Sequence, residues 1–134
     1  MGKDYEEYKK NKKGLKRFIK SFGFAGEGIK YAFYHEQNIF VMMFAAIIVV
    51  VLGIVFKITY TERLVLLLLI GMILALEMLN TAIEAVVNLH DGDKKSKYGK
   101  IAKDSASGAV AIASIFAFII GLLIFIPYIV ELFK

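Results

Sequence analysis

Three long apolar stretches dominate the pattern of hydrophobic and polar positions along the chain, at residues 39–56, 64–87 and 108–130. The first and third contain no charged residue, and the second is apolar over thirteen residues before its first carboxylate, Glu77. A helix rises about 1.5 Å per residue, so about 20 apolar residues are needed to cross the hydrocarbon core of a bilayer. We therefore predict three transmembrane helices, the second of which extends out of the membrane.

The segment ahead of the first stretch, residues 1–38, has an amphipathic pattern. Apolar side chains recur at helical spacing on one face, at Leu15, Phe18, Ile19 and Phe22. Basic side chains occupy the remaining arc, at Lys13, Lys16, Arg17 and Lys20. This pattern suits a helix that lies in the headgroup plane of an anionic leaflet. The alternative is a helix that packs on the membrane-spanning bundle.

Composition supports a membrane protein. Hydrophobic residues make up 58% of the chain, against roughly 45–50% in an ordinary soluble domain. The lack of cysteine excludes a disulfide scaffold, a zinc–thiolate site and a thiol nucleophile, and a single proline, Pro127, favours long helices. The predicted fold class is an all-α integral membrane protein with three transmembrane helices and an N-terminal amphipathic surface helix.

The distribution of charge predicts an orientation. Of the seventeen Lys and Arg residues, nine lie in residues 1–38, two in 57–63, five in 88–107 and one at Lys134. Cytoplasmic segments of membrane proteins are enriched in basic residues, so we predict that residues 1–38 and the loop 88–107 are cytoplasmic and that the C-terminus is external. A basic N-terminus can also bind nucleic acid, but its apolar neighbours favour lipid, and no nucleic-acid partner is predicted.

Polar residues share one face of the second predicted helix, at Glu77, Asn80, Thr81, Glu84 and Asn88. Glu77 lies about 20 Å beyond Leu64, in the cytoplasmic half of a hydrocarbon core of roughly 30 Å. The predicted topology brings Glu36, Lys103 and Asp104 to the same level. Ionisable residues within a membrane are costly and usually functional. The alternative is a structural carboxylate paired with a lysine.

This set of side chains is typical of phosphoryl transfer. Carboxylate and amide oxygens suit Mg²⁺, which is commonly shared with substrate phosphates. A lysine can neutralise a polyphosphate, and a half-buried carboxylate can act as a general base on a hydroxyl. Phosphoryl transfer depends mainly on such positioning and charge neutralisation. The chain has no P-loop and no kinase-type glycine loop.

Three motifs resemble the prokaryotic diacylglycerol kinase family, and more narrowly its Gram-positive branch, whose members act chiefly as undecaprenol kinases. They are YAFYHEQN at 31–38, EMLNTAIEAVVN at 77–88 and KIAKDSASGAV at 100–110. The resemblance implies a lipid kinase of the bacterial cell membrane that uses ATP and Mg²⁺. Its expected substrate is a membrane alcohol, undecaprenol first and diacylglycerol as the alternative.

The resemblance also implies roles for individual residues. Glu77 matches the general base that takes the proton from the lipid hydroxyl, and Asn80 matches a residue that supports the base and the metal. Glu36 and Glu84 match the carboxylates that hold the metal. The implied nucleotide-binding residues are Lys103, Asp104, Glu84 and Glu36. Asn88 stands where the family usually has an aspartate, so a charge-dependent nucleotide contact does not carry over to it.

A homotrimer with sites at subunit boundaries is also implied. Small residues recur every fourth position in the third stretch, at Ala109, Ala113, Ala117 and Gly121. Such a face permits close helix packing, either within one protomer or between two. Two other function classes stay open at this point, namely an ion or proton pathway, because intramembrane glutamates also build relays, and a non-catalytic adaptor.

Overall fold

The computed structural model describes residues 14–92, 94 and 96–134. Within these residues the chain forms four α-helices, α1 (Leu15–His35), α2 (Gln37–Val55), α3 (Tyr60–Asp91) and α4 (Lys97–Glu131). Helices α2, α3 and α4 are long and apolar enough to cross a membrane. The all-helical class with three candidate spans agrees with the sequence prediction. Residues 1–13 of the predicted basic region lie outside the described residues.

Helix α1 belongs to a compact unit separate from Glu36–Lys134. Its apolar side chains at the predicted positions are largely exposed, namely Leu15, Phe18, Ile19 and Phe22. The rings of Phe18 and Phe22 meet edge to face with centroids 5.1 Å apart. The segment is therefore helical with an exposed apolar face, and its location on a membrane surface stays a prediction.

The turn between α2 and α3 is a Schellman motif. The amide of Ile58 donates to the carbonyl of Gly53, and that of Lys57 donates to the carbonyl of Ile54, both at 3.2 Å. Lys57 takes the left-handed position with φ +50°, where glycine is usual because a Cβ is strained there. The Ile58 side chain, 1% exposed, packs so closely on Gly53 that an added Cβ would lie 3.0 Å from its Cδ1.

The end of α2, the start of α3 and the end of α4 meet in an apolar core. Its buried members are Ile58, Leu66, Ile124 and Phe125. Thr59 and Glu62 form a capping box at the start of α3, and the hydroxyl of Tyr128 donates to Oε2 of Glu62 at 2.7 Å. This contact ties α4 to the first turn of α3.

The other ends of α3 and α4 join through a short segment, residues 92–96, instead of the predicted loop 88–107. Helix α4 begins at Lys97 because the Ser96 side chain caps it, accepting from the amide of Gly99 at 2.9 Å. The Gly, Asp and Lys residues of this region favour a loop. In the structure α4 instead begins directly after the Ser96 cap, so residues 97–107 are helical. The bounds of the membrane-embedded parts stay a prediction.

Helices α3 and α4 are antiparallel and remain in register along their length. At one end Tyr128 contacts Glu62, and at the other end Nζ of Lys103 donates to Oδ1 of Asn88 at 2.6 Å. The stretch of α3 between these two contacts, from Glu62 to Asn88, has nearly the same number of residues as the stretch of α4 between them, from Lys103 to Tyr128. Polar residues on α3 therefore lie level with identifiable positions on α4.

Candidate functional site

Three polar side chains are buried in the middle of α3. Glu77, Asn80 and Thr81 are 1%, 5% and 6% exposed, on the face that the sequence pattern predicted to be polar. In the antiparallel register the buried α4 residues Ala113 and Val110 lie level with Glu77 and Asn80. Glu77 is thus buried at a level where α4 carries a small side chain, Ala113.

Two of these buried groups carry an oxygen without a hydrogen-bond partner among the described residues. They are Oε1 of Glu77 and Oδ1 of Asn80. Thr81 does not satisfy either oxygen, because its hydroxyl donates to the backbone carbonyl of Glu77 at 3.0 Å. A buried acceptor without a partner costs about 1–3 kcal/mol. Such oxygens suit a partner from outside the chain, such as a substrate hydroxyl or a cation.

The polar face becomes more exposed towards the end of α3. Glu77 is fully buried, Glu84 is partly buried and Asn88 is exposed. These residues extend over eleven positions, or about 16 Å along the helix axis. One helix face therefore connects a buried carboxylate to solvent-exposed amide and ammonium groups at the α3–α4 corner.

Lys103 and Asp104, which the resemblance assigns to the nucleotide, have different neighbours. Lys103 donates to Asn88 on α3. Asp104 forms an ion pair with Lys100, one turn earlier on α4, at 2.9 Å. The two residues are adjacent in sequence, but of the two it is Lys103 that is joined by a hydrogen bond to the polar face of α3.

Glu36 lies at the N-cap of α2 with an extended backbone, at φ −109° and ψ 109°. Its side chain makes no capping hydrogen bond and is partly buried. Glu36 and Glu84, the predicted metal ligands, are both partly buried. Their shared role at one ion stays a prediction.

The carboxylates of Glu36 and Glu84 are the candidate ligands for Mg²⁺, which prefers oxygen donors. Among the described residues no three His, Asp or Glu side chains are grouped as a metal site. Mg²⁺ typically takes one or two carboxylates from a protein and completes its shell with water and substrate phosphates. An ion of this kind would need no more than one or two of the chain's carboxylates.

An apolar cavity of about 580 Å³ lies between α2, α3 and α4. Its lining includes Val49, Ile73 and Phe118, and Ser114 is the single polar residue among the described residues that line it. In the α3–α4 register Ser114 lies level with Glu77. The cavity thus extends from the Glu62 end of the helices to the level of the buried carboxylate.

Sequence reasoning missed the corner that joins α3 to α4. The carboxylate of Asp91 accepts the amide of Ser96 at 3.0 Å and its hydroxyl at 2.9 Å. Gly99 is buried against this pair and against Val87. A serine before a helix is a recognisable N-cap signal, but nothing in the sequence pattern pairs it with Asp91.

Comparisons with known proteins identify chains of similar sequence. A family model described as prokaryotic diacylglycerol kinase matches residues 23–125. An undecaprenol kinase of Bacillus subtilis is 42% identical over 89% of this chain and 96% of its own length. A diacylglycerol kinase of Synechocystis is 36% identical over 84% of this chain and 64% of its own length. One from Escherichia coli is 32% identical over 81% and 88%.

Proposed function

Because this chain belongs to the prokaryotic diacylglycerol kinase family and is a lipid kinase, we propose that it transfers the γ-phosphate of ATP to undecaprenol. The 42% identity to an undecaprenol kinase over nearly the whole chain supports this substrate. Diacylglycerol is the alternative, since relatives at 36% and 32% identity are diacylglycerol kinases.

The observation that carries the proposal is the buried, unpartnered Oε1 of Glu77. This oxygen accepts the proton of the lipid hydroxyl, and the resulting alkoxide oxygen attacks the γ-phosphorus. The new oxygen–phosphorus bond forms as the bond to the β-phosphate oxygen breaks, and ADP leaves. Asn80 lies one turn away with its own unpartnered oxygen and orients the reacting groups.

The charged groups near the exposed end of the polar face bind the nucleotide. Glu36 and Glu84 hold Mg²⁺, which neutralises charge on the phosphates when bound. Lys103 contacts a phosphate, and Asp104 completes the nucleotide side of the site. An apolar cavity at the level of Glu77 supports the entry of a lipid alcohol rather than a water-soluble one.

The active form is proposed to be a homotrimer. Two unpartnered buried oxygens support a site that is completed by groups from outside one chain. The small-residue face of α4 is only partly used within the protomer, because Ala113 is buried while Ala109 is exposed. The exposed part is available for close packing against a second copy.

The protein is membrane-integral, and we propose the bacterial cell membrane with the N-terminus and site cytoplasmic. The bias of basic residues towards residues 1–38 and 88–107 supports this orientation. The exposed apolar side chains of α1, with Arg17 and Lys20 in the same helix, support a position on the anionic inner surface.

A phosphate-transfer assay tests the function. Purified protein in one bilayer system is given γ-labelled ATP, Mg²⁺ and either undecaprenol or diacylglycerol, and the initial rates are compared. We expect label in both lipids with the higher rate on undecaprenol. Glu77→Gln should abolish transfer without changing oligomer size, whereas Glu131→Gln, the same change at an exposed position on α4, should retain it. Full activity in Glu77→Gln would refute the assignment of the base.

A further inference from the structure

Lys103 is held by a neutral partner. Its Nζ donates to Oδ1 of Asn88 at 2.6 Å, across the two helices and 15 residues apart in sequence. An amide oxygen accepts the hydrogen bond without carrying a charge, so this contact places no negative charge beside the ammonium. Two of its three N–H groups stay available for other acceptors.

The neighbouring lysine differs in this respect. Lys100, one turn earlier on α4, is paired with the carboxylate of Asp104 at 2.9 Å, and its charge is thereby compensated. The carboxylate of Asp91 accepts hydrogen bonds from Ser96, which are the largest cause that holds the pKa of Asp91 below its usual value, and Lys103 adds a weaker through-space attraction. Lys103 therefore differs from Lys100 in that its hydrogen-bond partner carries no charge, and Asp91 attracts it only through space.

Hydrogen bonds at the corner also join the ends of α3 and α4. Asp91 lies one turn after Asn88 on α3, and Gly99 lies one turn before Lys103 on α4. Ser96 connects the two helices by accepting from Gly99 while donating to Asp91. The backbone positions that carry the Asn88–Lys103 contact are thus fixed independently of that contact.

We propose that Asn88 is a positioning residue that holds the Lys103 ammonium for the nucleotide phosphates without adding a negative charge of its own. The inference rests on the proposed kinase function and deepens it. An aspartate here would accept the same hydrogen bond, but it would neutralise the lysine and add a negative charge beside the phosphates. The charge of the residue at position 88, and not only its hydrogen bond to Lys103, therefore sets the affinity for the nucleotide.

Two substitutions separate charge from position. Asn88→Asp keeps an acceptor and adds a negative charge. It should raise KM for MgATP about three- to tenfold, because the new carboxylate repels the phosphates across a partly solvated surface. Asn88→Ala leaves the charge of Lys103 but frees its side chain, and should raise this KM about two- to threefold. In both variants kcat and KM for the lipid alcohol should stay near wild type. If Asn88 only supplied an acceptor, Asn88→Asp would match the wild type.

Leu89→Asp is the matched control. This side chain is 87% exposed, and the substitution places the same charge on α3 about 100° around the helix. Its KM for MgATP should lie within about twofold of wild type, because an exposed charge in a different direction is screened. An equal rise in both aspartate variants would overturn the inference, as would an unchanged KM in Asn88→Asp.

Equilibrium binding of a fluorescent ATP analogue in the presence of Mg²⁺ gives a readout that needs no catalysis. Binding should weaken in the order wild type, Asn88→Ala, Asn88→Asp, with all variants eluting at the wild-type size. If the wild type transfers no phosphate but this order holds, the proposed function fails and the inference stands. If transfer occurs and the order is not seen, only the inference fails.

Discussion

Replacing Gly99 by alanine perturbs the corner between α3 and α4 at its tightest point. The new Cβ would collide with the Asp91 carboxylate and lie 2.8 Å from Oγ of Ser96 and 2.9 Å from Cγ1 of Val87. Relief requires Ser96 to move, which weakens an N-cap worth about 0.5–2 kcal/mol and its hydrogen bonds to Asp91. The higher helix propensity of alanine returns up to about 1 kcal/mol. We expect a net loss of about 1–3 kcal/mol in unfolding free energy.

The assay is heating of the detergent-solubilised protein followed by size-exclusion chromatography of the fraction that stays folded. A loss of this size should lower the midpoint by about 3–10 °C. Gly71→Ala is the control, because this glycine also lies within a helix but an added Cβ meets nothing within 4 Å. Its midpoint should stay unchanged or rise. Equal midpoints for the two variants would refute the claim that the corner is tightly packed.

Three further substitutions use the same heating assay. Tyr128→Phe removes the hydrogen bond to Glu62 and should cost about 1–2 kcal/mol; an unchanged midpoint would show that this contact does not hold the helices together. Lys57→Gly relieves the strain of the positive φ and should raise the unfolding free energy by about 0.5–1 kcal/mol, which raises the midpoint; a lower midpoint would contradict strain at this position. Ile58→Ala empties a fully buried position and should cost about 2–4 kcal/mol, and a smaller loss than for Tyr128→Phe would contradict its place in the core.

The sequence predicted the helices and the buried polar face because both depend on local periodicity. Apolar runs of sufficient length indicate spans whatever their partners are. The spacing of Glu77, Asn80 and Thr81 predicts a shared face because it follows from helix geometry alone. The structure then places these three side chains in the buried part of α3.

The contacts between helices could not be predicted in this way. Tyr128 lies 66 residues from Glu62, and no periodic signal relates them. The resemblance assigns both Lys103 and Asp104 to the nucleotide, but adjacent residues on a helix point in different directions. In the structure Asp104 forms an ion pair with Lys100. Only the packing of α3 on α4 determines that Lys103 meets Asn88.

The gradient of exposure along α3 has a consequence for how two unlike substrates meet. A lipid alcohol reaches its acceptor from apolar surroundings, and the buried Glu77 lies at the level of the apolar cavity. A nucleotide arrives from water, and Asn88 and Lys103 lie near the exposed end of the same helix face. About 16 Å of helix separates the two ends, with Glu84 between them. On the proposed function, the triphosphate therefore extends along this face with its γ-phosphate towards Glu77, so that transfer takes place away from bulk water.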